Sequence, residues 1–390
     1  MDAHQDSALI ALRRCLFLVS APMVFITFAL PLRAEDLGAS AFEIGALYSL
    51  FTAAVFVIRP LAGIGLDKLG RRPFFILATL FYASANLLYA LSSGVVDLLV
   101  ARGLQGAGFA LLAITTETIT ADLTQQHQRS IAMGRNLASQ TRGGMVGATI
   151  GFTLVGAMPL YAWVYSFWSF FAVSILAVLI SSWVIPETNI KRQDKHLEKF
   201  TPPGTYGGVL VIIFAAAFAA ALIQPFYLIY LRARFSLELY MLAVAFLPIG
   251  LAYAILPSLL GKITQHWRRP VAVATGLIIA AIFYAGVPLV DALPVVLAAI
   301  FMASMGMVLV DLTKSAWVGD LSSGGSRGRT FGLAALAAGG GAVMGPIAGG
   351  WIYDQFGAEY LFIAAAGVFS GAALFAIGSR TLTADVSAGH

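Results

Sequence analysis

The sequence predicts an all-α polytopic membrane protein with twelve transmembrane helices in two pseudo-symmetric six-helix bundles. Three observations lead there. First, 59% of the 390 residues are hydrophobic and 11% are charged, against roughly 25% charged in an ordinary soluble domain. Second, the apolar residues gather in runs of about 20, the length of helix that crosses a hydrocarbon core roughly 30 Å thick. Third, the second half of the chain repeats the first. A transmembrane β-barrel is excluded, because its strands alternate apolar and polar residues. In a soluble domain the net charge of +5 would hint at nucleic acid; here it is the excess expected of cytoplasmic loops, and no nucleic-acid partner is expected. The single cysteine, Cys15, allows no internal disulfide and supplies no metal cluster. Neither metal nor cofactor is expected.

Apolar runs bounded by charges, Gly or Pro place the twelve spans at 15–32, 42–65, 74–91, 96–120, 134–157, 160–184, 206–231, 237–260, 270–290, 294–317, 330–352 and 359–379. The first follows Arg13 and Arg14 and ends in P-L-R-A-E-D with no small-residue cleavage site. It reads as a retained helix, not a signal peptide. With a cytoplasmic N-terminus, 17 of the 24 Lys and Arg fall on the cytoplasmic side and 3 (Arg33, Arg232, Arg234) on the outer side. That asymmetry satisfies the positive-inside rule with both termini in the cytoplasm. The longest polar stretch, 186–205, lies after the sixth span. It reads as a cytoplasmic linker between an N-terminal bundle, 1–185, and a C-terminal bundle, 206–390.

The two halves match at an offset of 198. Gly63, Gly108, Asp122 and Arg129 recur as Gly261, Gly306, Asp320 and Arg327. The stripe Gly143, Gly147, Gly151 recurs as Gly341, Gly345, Gly349. Glycines at i, i+4, i+8 share one helix face and let helices approach closely, so packing is their expected role. Six spans per half make the repeats parallel, related by an axis along the membrane normal, as in many secondary transporters.

The loop Gly63, Asp67, Lys68, Gly70, Arg71, Arg72 fits the pattern G-x-x-x-D-[RK]-x-G-[RK]-[RK]. Arg102, Gln105, Gly106 and Gly108 fit R-x-x-Q-G-x-G, and Pro186, Glu187, Thr188 form P-E-T after the sixth span. On these motifs the chain resembles the major facilitator superfamily over essentially its whole length. The eleventh span, G-A-V-M-G-P-I-A-G-G, is similar to a signature that the family's drug/proton antiporters carry in their fifth. The fifth span here departs from it at Ala148 and Phe152. The resemblance implies alternating access between the two halves. It also implies a conformational latch made of Gly63, Asp67, Gly70, Arg71, Arg72 and Asp122. In that latch Asp67 meets the N-terminus of the eleventh span, where the helix dipole favours negative charge, and Arg71 pairs with Asp122. The bonds would hold the outward-open state. Asp67→Asn should then slow transport without abolishing ligand binding.

Charged residues inside spans are functional hypotheses by default, and the repeat sharpens the choice among them. Arg102, Glu117, Arg142, Asp311 and Lys314 correspond to Ile300, Ser315, Gly340, Ala113 and Thr116, so none is shared with the other half. Arg102 lies ~10 Å into the fourth span, with Gln105 three residues on. Resemblance associates this Arg with proton coupling; the other reading is an Arg that reaches outward or bonds first-span carbonyls. Glu117 is ~22 Å along the helix from Arg102 and cannot pair with it. Arg142 is its expected partner. Asp311 and Lys314 are spaced i, i+3 and can pair with each other, either for coupling or as a structural bridge. A carboxylate that loses its cation during the cycle takes a proton more readily, with Glu117 placed ahead of Asp311 for that role. Gln224-Pro225 interrupts the seventh span ahead of Phe226, Tyr227 and Tyr230; the resemblance implies that the first, fourth, seventh and tenth spans line the central cavity, which would put these residues, Gln224 and Tyr227 among them, at part of the site and outer gate. Met23, Phe25 and Phe28 would add an apolar wall. The expected function is proton-coupled export of a lipophilic or amphipathic small molecule. The alternatives are an importer or uniporter of an organic anion or sugar, with Arg102, Arg142 and Lys314 as anion contacts, or a lipid flippase. An embedded enzyme is disfavoured, since no nucleophile motif and no His falls inside a span. The expected setting is a monomer in the inner (plasma) membrane, with a small-molecule substrate, protons and membrane lipids as partners.

Overall fold

In the computed structural model, residues 3–125, 128–157, 162–188, 206–237, 245, 247–264, 266–321 and 327–378 are described. They form thirteen α-helices: α1 (Ala3–Asp36), α2 (Ala41–Leu69), α3 (Arg71–Leu91), α4 (Val95–Leu123), α5 (Arg129–Ala157), α6 (Ala162–Val184), α7 (Tyr206–Ile223), α8 (Tyr227–Phe235), α9 (Leu247–Thr264), α10 (Arg269–Gly286), α11 (Leu293–Asp320), α12 (Arg327–Phe356) and α13 (Glu359–Gly378). A 3₁₀ turn at Val287–Leu289 follows α10. No strand occurs among the described residues.

Thirteen helices serve twelve spans, because α7 and α8 are one membrane segment broken at Gln224–Phe226. Pro225 has no N–H to offer the ladder, and the chain turns there through Phe226 N–H to Ile223 O, 3.0 Å. Among the described residues, ten segments are long and apolar enough to cross a membrane. The other two spans are α5, diluted by Arg135, Asn136, Gln140 and Arg142, and α9. The eighth span was expected at 237–260; residues 238–244 and 246 lie outside the described set. So does 189–205, most of the expected linker. The first span is longer than predicted, starting at Ala3 and not at 15. Hydropathy marks the part of a helix that lies in lipid, whereas the helix itself continues wherever its residues tolerate it.

The chain divides into two units. One comprises Met1–Ala39 and Ala46–Asp194, the other Ser40–Gly45 and Lys195–His390. The offset of 198 is carried into structure: α3, α4 and α5 begin at Arg71, Val95 and Arg129, and α10, α11 and α12 begin at Arg269, Leu293 and Arg327. In the second unit the carboxylate of Asp354 accepts the N–H groups of Ala41 and Phe42 at 3.0 and 2.9 Å, capping that short segment.

Burial in lipid gives helices little reason to associate, so close van der Waals packing must do it. The glycine stripes supply that packing in both units. A Cβ on Gly143 or Gly147 would run into the backbone of Phe17 or Ala21 on α1, and one on Gly151 into the Phe25 ring. In the second unit a Cβ on Gly341, Gly345 or Gly349 would sit 2.5–2.7 Å from the α7 carbonyls of Phe214, Phe218 and Leu222. The pairs α1–α5 and α7–α12 are therefore the same joint built twice. Gly134, also on α5, has nothing within 4 Å of its would-be Cβ. Gly147→Ala is accordingly expected to lower the unfolding temperature in detergent, at an overpacking cost of about 1–3 kcal/mol. Gly134→Ala should leave it unchanged or slightly raised, since alanine loses less backbone freedom on folding. Equal behaviour of the two variants would contradict the joint.

Candidate functional site

Arg102 lies on α4, 4% exposed. Its Nη1 donates to Gln105 Oε1 at 2.7 Å, and the same oxygen accepts from Tyr89 Oη at 2.9 Å. The guanidinium lies over two α2 rings, 4.9 Å from the Tyr48 centroid and 4.5 Å from that of Phe51. Its Nε is buried with no hydrogen-bond partner. The cation is thus held by an amide and two ring faces; it neither reaches outward nor bonds α1 carbonyls. Cation–π contacts worth about 2 kcal/mol when desolvated offset part of the cost of burying it. Tyr48 Oη donates to the Thr27 carbonyl of α1, which fixes one of the rings.

Glu117 does not meet Arg142, as the sequence suggested. Its Oε1 accepts from Arg59 Nη2 of α2 at 2.9 Å, and the two side chains are 55% and 45% exposed. Depth explains the correction. Glu117 is ~9 Å and Arg59 ~15 Å from the C-terminal ends of their helices, whereas Arg142 is ~20 Å beyond the start of α5. Arg142 instead borders a groove with α1 and α6 residues. Arg59 has Pro257 as its repeat counterpart, so this pair belongs to one unit only.

In the second unit Asp311 and Lys314 pair along α11 at 2.5 Å. Tyr253 Oη of α9 donates to the other Asp311 oxygen at 2.8 Å. At the break between α7 and α8, Gln224 is exposed, and the expected gate residue Tyr227 follows three positions on. It is buried, and its hydroxyl donates to the Ala245 carbonyl at 2.8 Å. Tyr230 stacks obliquely on Phe362, 4.8 Å between centroids. Phe25 is no cavity wall. It is buried among Phe152, Phe167 and Phe170, because Gly151 lets α5 close onto it.

At the junction of α2 and α3, Gly70 adopts φ 95°, a conformation that disfavours any side chain. A Cβ there would also collide with the carboxylate of Glu187. That carboxylate accepts the N–H groups of Arg71 and Arg72 at 2.8 and 3.2 Å, satisfying the first turn of α3. Arg71 Nε donates to Asp122 Oδ2 at 3.0 Å and its Nη1 to Leu66 O at 2.9 Å. Thr188 Oγ1 adds a 3.2 Å bond to the same Asp122 oxygen. Arg72 Nη2 reaches the Ser182 carbonyl at 2.5 Å. Gly63 faces Ile114 in ordinary contact. Asp67 is in α2, but its side chain lies outside the described ones. The repeat-related pair, Arg269 Nε to Asp320 Oδ2, is 2.8 Å long.

A family model described as Major Facilitator Superfamily matches residues 15–310 and, separately, 209–388. The chain belongs to the Major Facilitator Superfamily. It is a multi-pass membrane protein of that superfamily. Among relatives within the superfamily, the human synaptic vesicular amine transporter is 24% identical over 342 residues, 85% of this chain and 65% of that protein. A putative multidrug resistance protein, MdtD, of Escherichia fergusonii is 28% identical over 185 residues, 47% of this chain and 38% of its own length. The chain therefore spans about 65% of the length of the amine transporter and about 38% of MdtD. A bacterial homologue of the human lysosomal transporter Spinster superimposes with a TM-score of 0.81 at 17% identity, covering 99% of both chains. That likeness concerns the superfamily fold alone.

Three residues of these constellations escaped the reading of the sequence. Arg59 was visible as a charge within a span, and its depth from the end of α2 was the signal that matched it to Glu117. Glu187 was visible only as the middle of P-E-T. Tyr253 carried no signal, since a tyrosine in an apolar span is ordinary.

Proposed function

We propose that this transporter exports a lipophilic or amphipathic solute, foremost an organic amine, in exchange for protons. The reading rests on the Arg59–Glu117 ion pair, which bridges two helices within the span region and has no counterpart in the other half. A carboxylate that parts from its cation loses the charge that favoured its ionised form. Movement of α2 against α4 would therefore convert an ion pair into a proton-binding site, and a cationic solute would compete for the same carboxylate. The names of the relatives, an amine transporter and a multidrug resistance protein, support a solute of this chemistry. Arg71, Asp122 and the Gly70 turn act as the conformational latch, with Asp67, Arg72 and Gly63 beside them. The distribution of Lys and Arg supports an inner-membrane location with both termini cytoplasmic, and the protein works as a monomer.

The second reading, uptake of an organic anion, draws on Arg102, a buried cation with no carboxylate among its described partners. Vesicles reconstituted with the protein and given a pH step distinguish the two. Exchange predicts accumulation of a permanently charged fluorescent lipophilic cation on the acidic side, abolished by a protonophore. Cation movement indifferent to the pH step, or uptake of organic anions alone, would overturn the export reading.

A further inference from the structure

Between α1, α5 and α6 of the first unit runs an open groove of about 610 Å³. Its charged lining is Arg13, Arg14 and Arg142; its apolar lining includes Phe17, Leu18, Leu176 and Ile180. None of its described lining residues is acidic. We propose that this groove binds one anionic phospholipid, with the phosphate held by Arg13, Arg14 and Arg142 and an acyl chain along Phe17, Leu18, Leu176 and Ile180.

The three arginines stand at similar levels on their helices. Because Gly143 rests on the backbone of Phe17, and Ser139 Oγ donates to the Arg13 carbonyl at 2.8 Å, α1 and α5 are in register here. Arg142 is then within about one helical turn, ~6 Å, of Arg13 and Arg14 along the helix axes. Arg135, about two turns before Arg142 on α5, is the like charge that acts on Arg13, so an anion here meets an excess of cations. Arg13 Nε is buried and has no hydrogen-bond partner. Asp6, two turns earlier on α1, acts electrostatically on Arg13 but does not line the groove. Basic pockets between spans on the cytoplasmic side are where acidic headgroups bind.

The repeat argues that the charges are not scaffold. At the offset of 198, Arg13, Arg14 and Arg142 become Val211, Ile212 and Gly340, while the glycine joint beside them is kept. The joint thus folds without three cations in one unit and carries them in the other. Leu176 and Ile10 are exposed at the groove, which leaves an apolar track open beside the charges.

The test uses the purified full-length protein in a non-ionic detergent. Thermal unfolding is followed with added phosphatidylglycerol or with phosphatidylcholine of the same acyl chains, and native mass spectrometry counts the retained lipid. Phosphatidylglycerol is expected to raise the unfolding temperature by several degrees, with one molecule retained per chain, and phosphatidylcholine to do neither. The variant Arg13→Gln/Arg14→Gln/Arg142→Gln should keep its unfolding temperature in phosphatidylcholine and lose the shift. If that variant fails to fold, Arg142→Gln alone, an exposed change, should weaken phosphatidylglycerol binding about fivefold. An equal shift with phosphatidylcholine, or a phosphatidylglycerol shift unchanged in the variants, would overturn the proposal. So would an equal shift from glycerol 1-phosphate, which would make this a site for free phosphate. The readout is lipid binding, so it is independent of whether transport is coupled to protons.

Discussion

Glu117→Gln is expected to abolish uphill transport driven by a pH step while leaving substrate binding and downhill exchange in place. The glutamine keeps the shape of the side chain and an oxygen for Arg59, which donates to Glu117 at 2.9 Å in the parent. It cannot take up a proton. Electroneutral exchange of one proton per solute across a one-unit pH step sustains an accumulation of about tenfold; the variant should sustain none. Asp311→Asn should have the smaller effect, and the reason lies in which helices carry each partner. Arg59 and Glu117 stand on α2 and α4, so a relative shift of two helices separates them. Asp311 and Lys314 stand one turn apart on α11, so the cation travels with the carboxylate however that helix moves. Tyr253, on α9, is the only described Asp311 partner across a helix boundary, and it is neutral. Accumulation in both variants, measured on the same vesicles with a counterflow control, checks this order. Full uphill accumulation by Glu117→Gln would exclude the carboxylate as the proton carrier.

The sequence made the architecture legible because lipid imposes one simple demand: backbone groups must be satisfied within each apolar helix. The repeat was legible because parallel halves keep helix starts in step, as Arg71 with Arg269 and Arg129 with Arg327. Packing could be read at the glycines, where the spacing i, i+4, i+8 already defines a face. The side-chain partners were less accessible. Which residue faces Glu117 depends on how far α2 and α4 are rotated about their axes, and apolar residues on every side leave that rotation unmarked. The same ambiguity misplaced Phe25. An aromatic residue in an apolar span carries no label that separates a cavity wall from a packed interior. The short-range constellations fared better, since Gly70, Arg71 and Arg72 sit on one tight turn whose geometry their spacing dictates.

Arg71→Ala and Asp122→Ala are each expected to destabilise the first unit by about 3–5 kcal/mol, the usual result of stranding one member of a buried ion pair. Their side chains are only 5% and 4% exposed, so water cannot replace the lost partner. Arg71 would keep its bond to the Leu66 carbonyl and Asp122 its bond from Thr188. The Thr188 hydroxyl cannot neutralise the charge that Arg71→Ala leaves on Asp122. Asp320→Ala provides the comparison. It breaks the repeat-related pair, whose side chains are 31% and 56% exposed, and pairs that open to solvent contribute about 0–1 kcal/mol. Heat-inactivation half-lives of the three variants in detergent should separate by this burial alone. The double variant Arg71→Leu/Asp122→Leu then distinguishes a brace from a latch. Two apolar side chains can replace a buried pair at little cost or even with a gain, so thermal stability should largely return. If the pair were only a brace, transport would return with it. As a latch the pair supports one conformational state over the other, and removing ~1.4 kcal/mol of such support slows the cycle about tenfold. The expected result is a protein as stable as the parent that still turns over slowly, and a double variant recovering both properties would reduce Arg71 and Asp122 to structural residues.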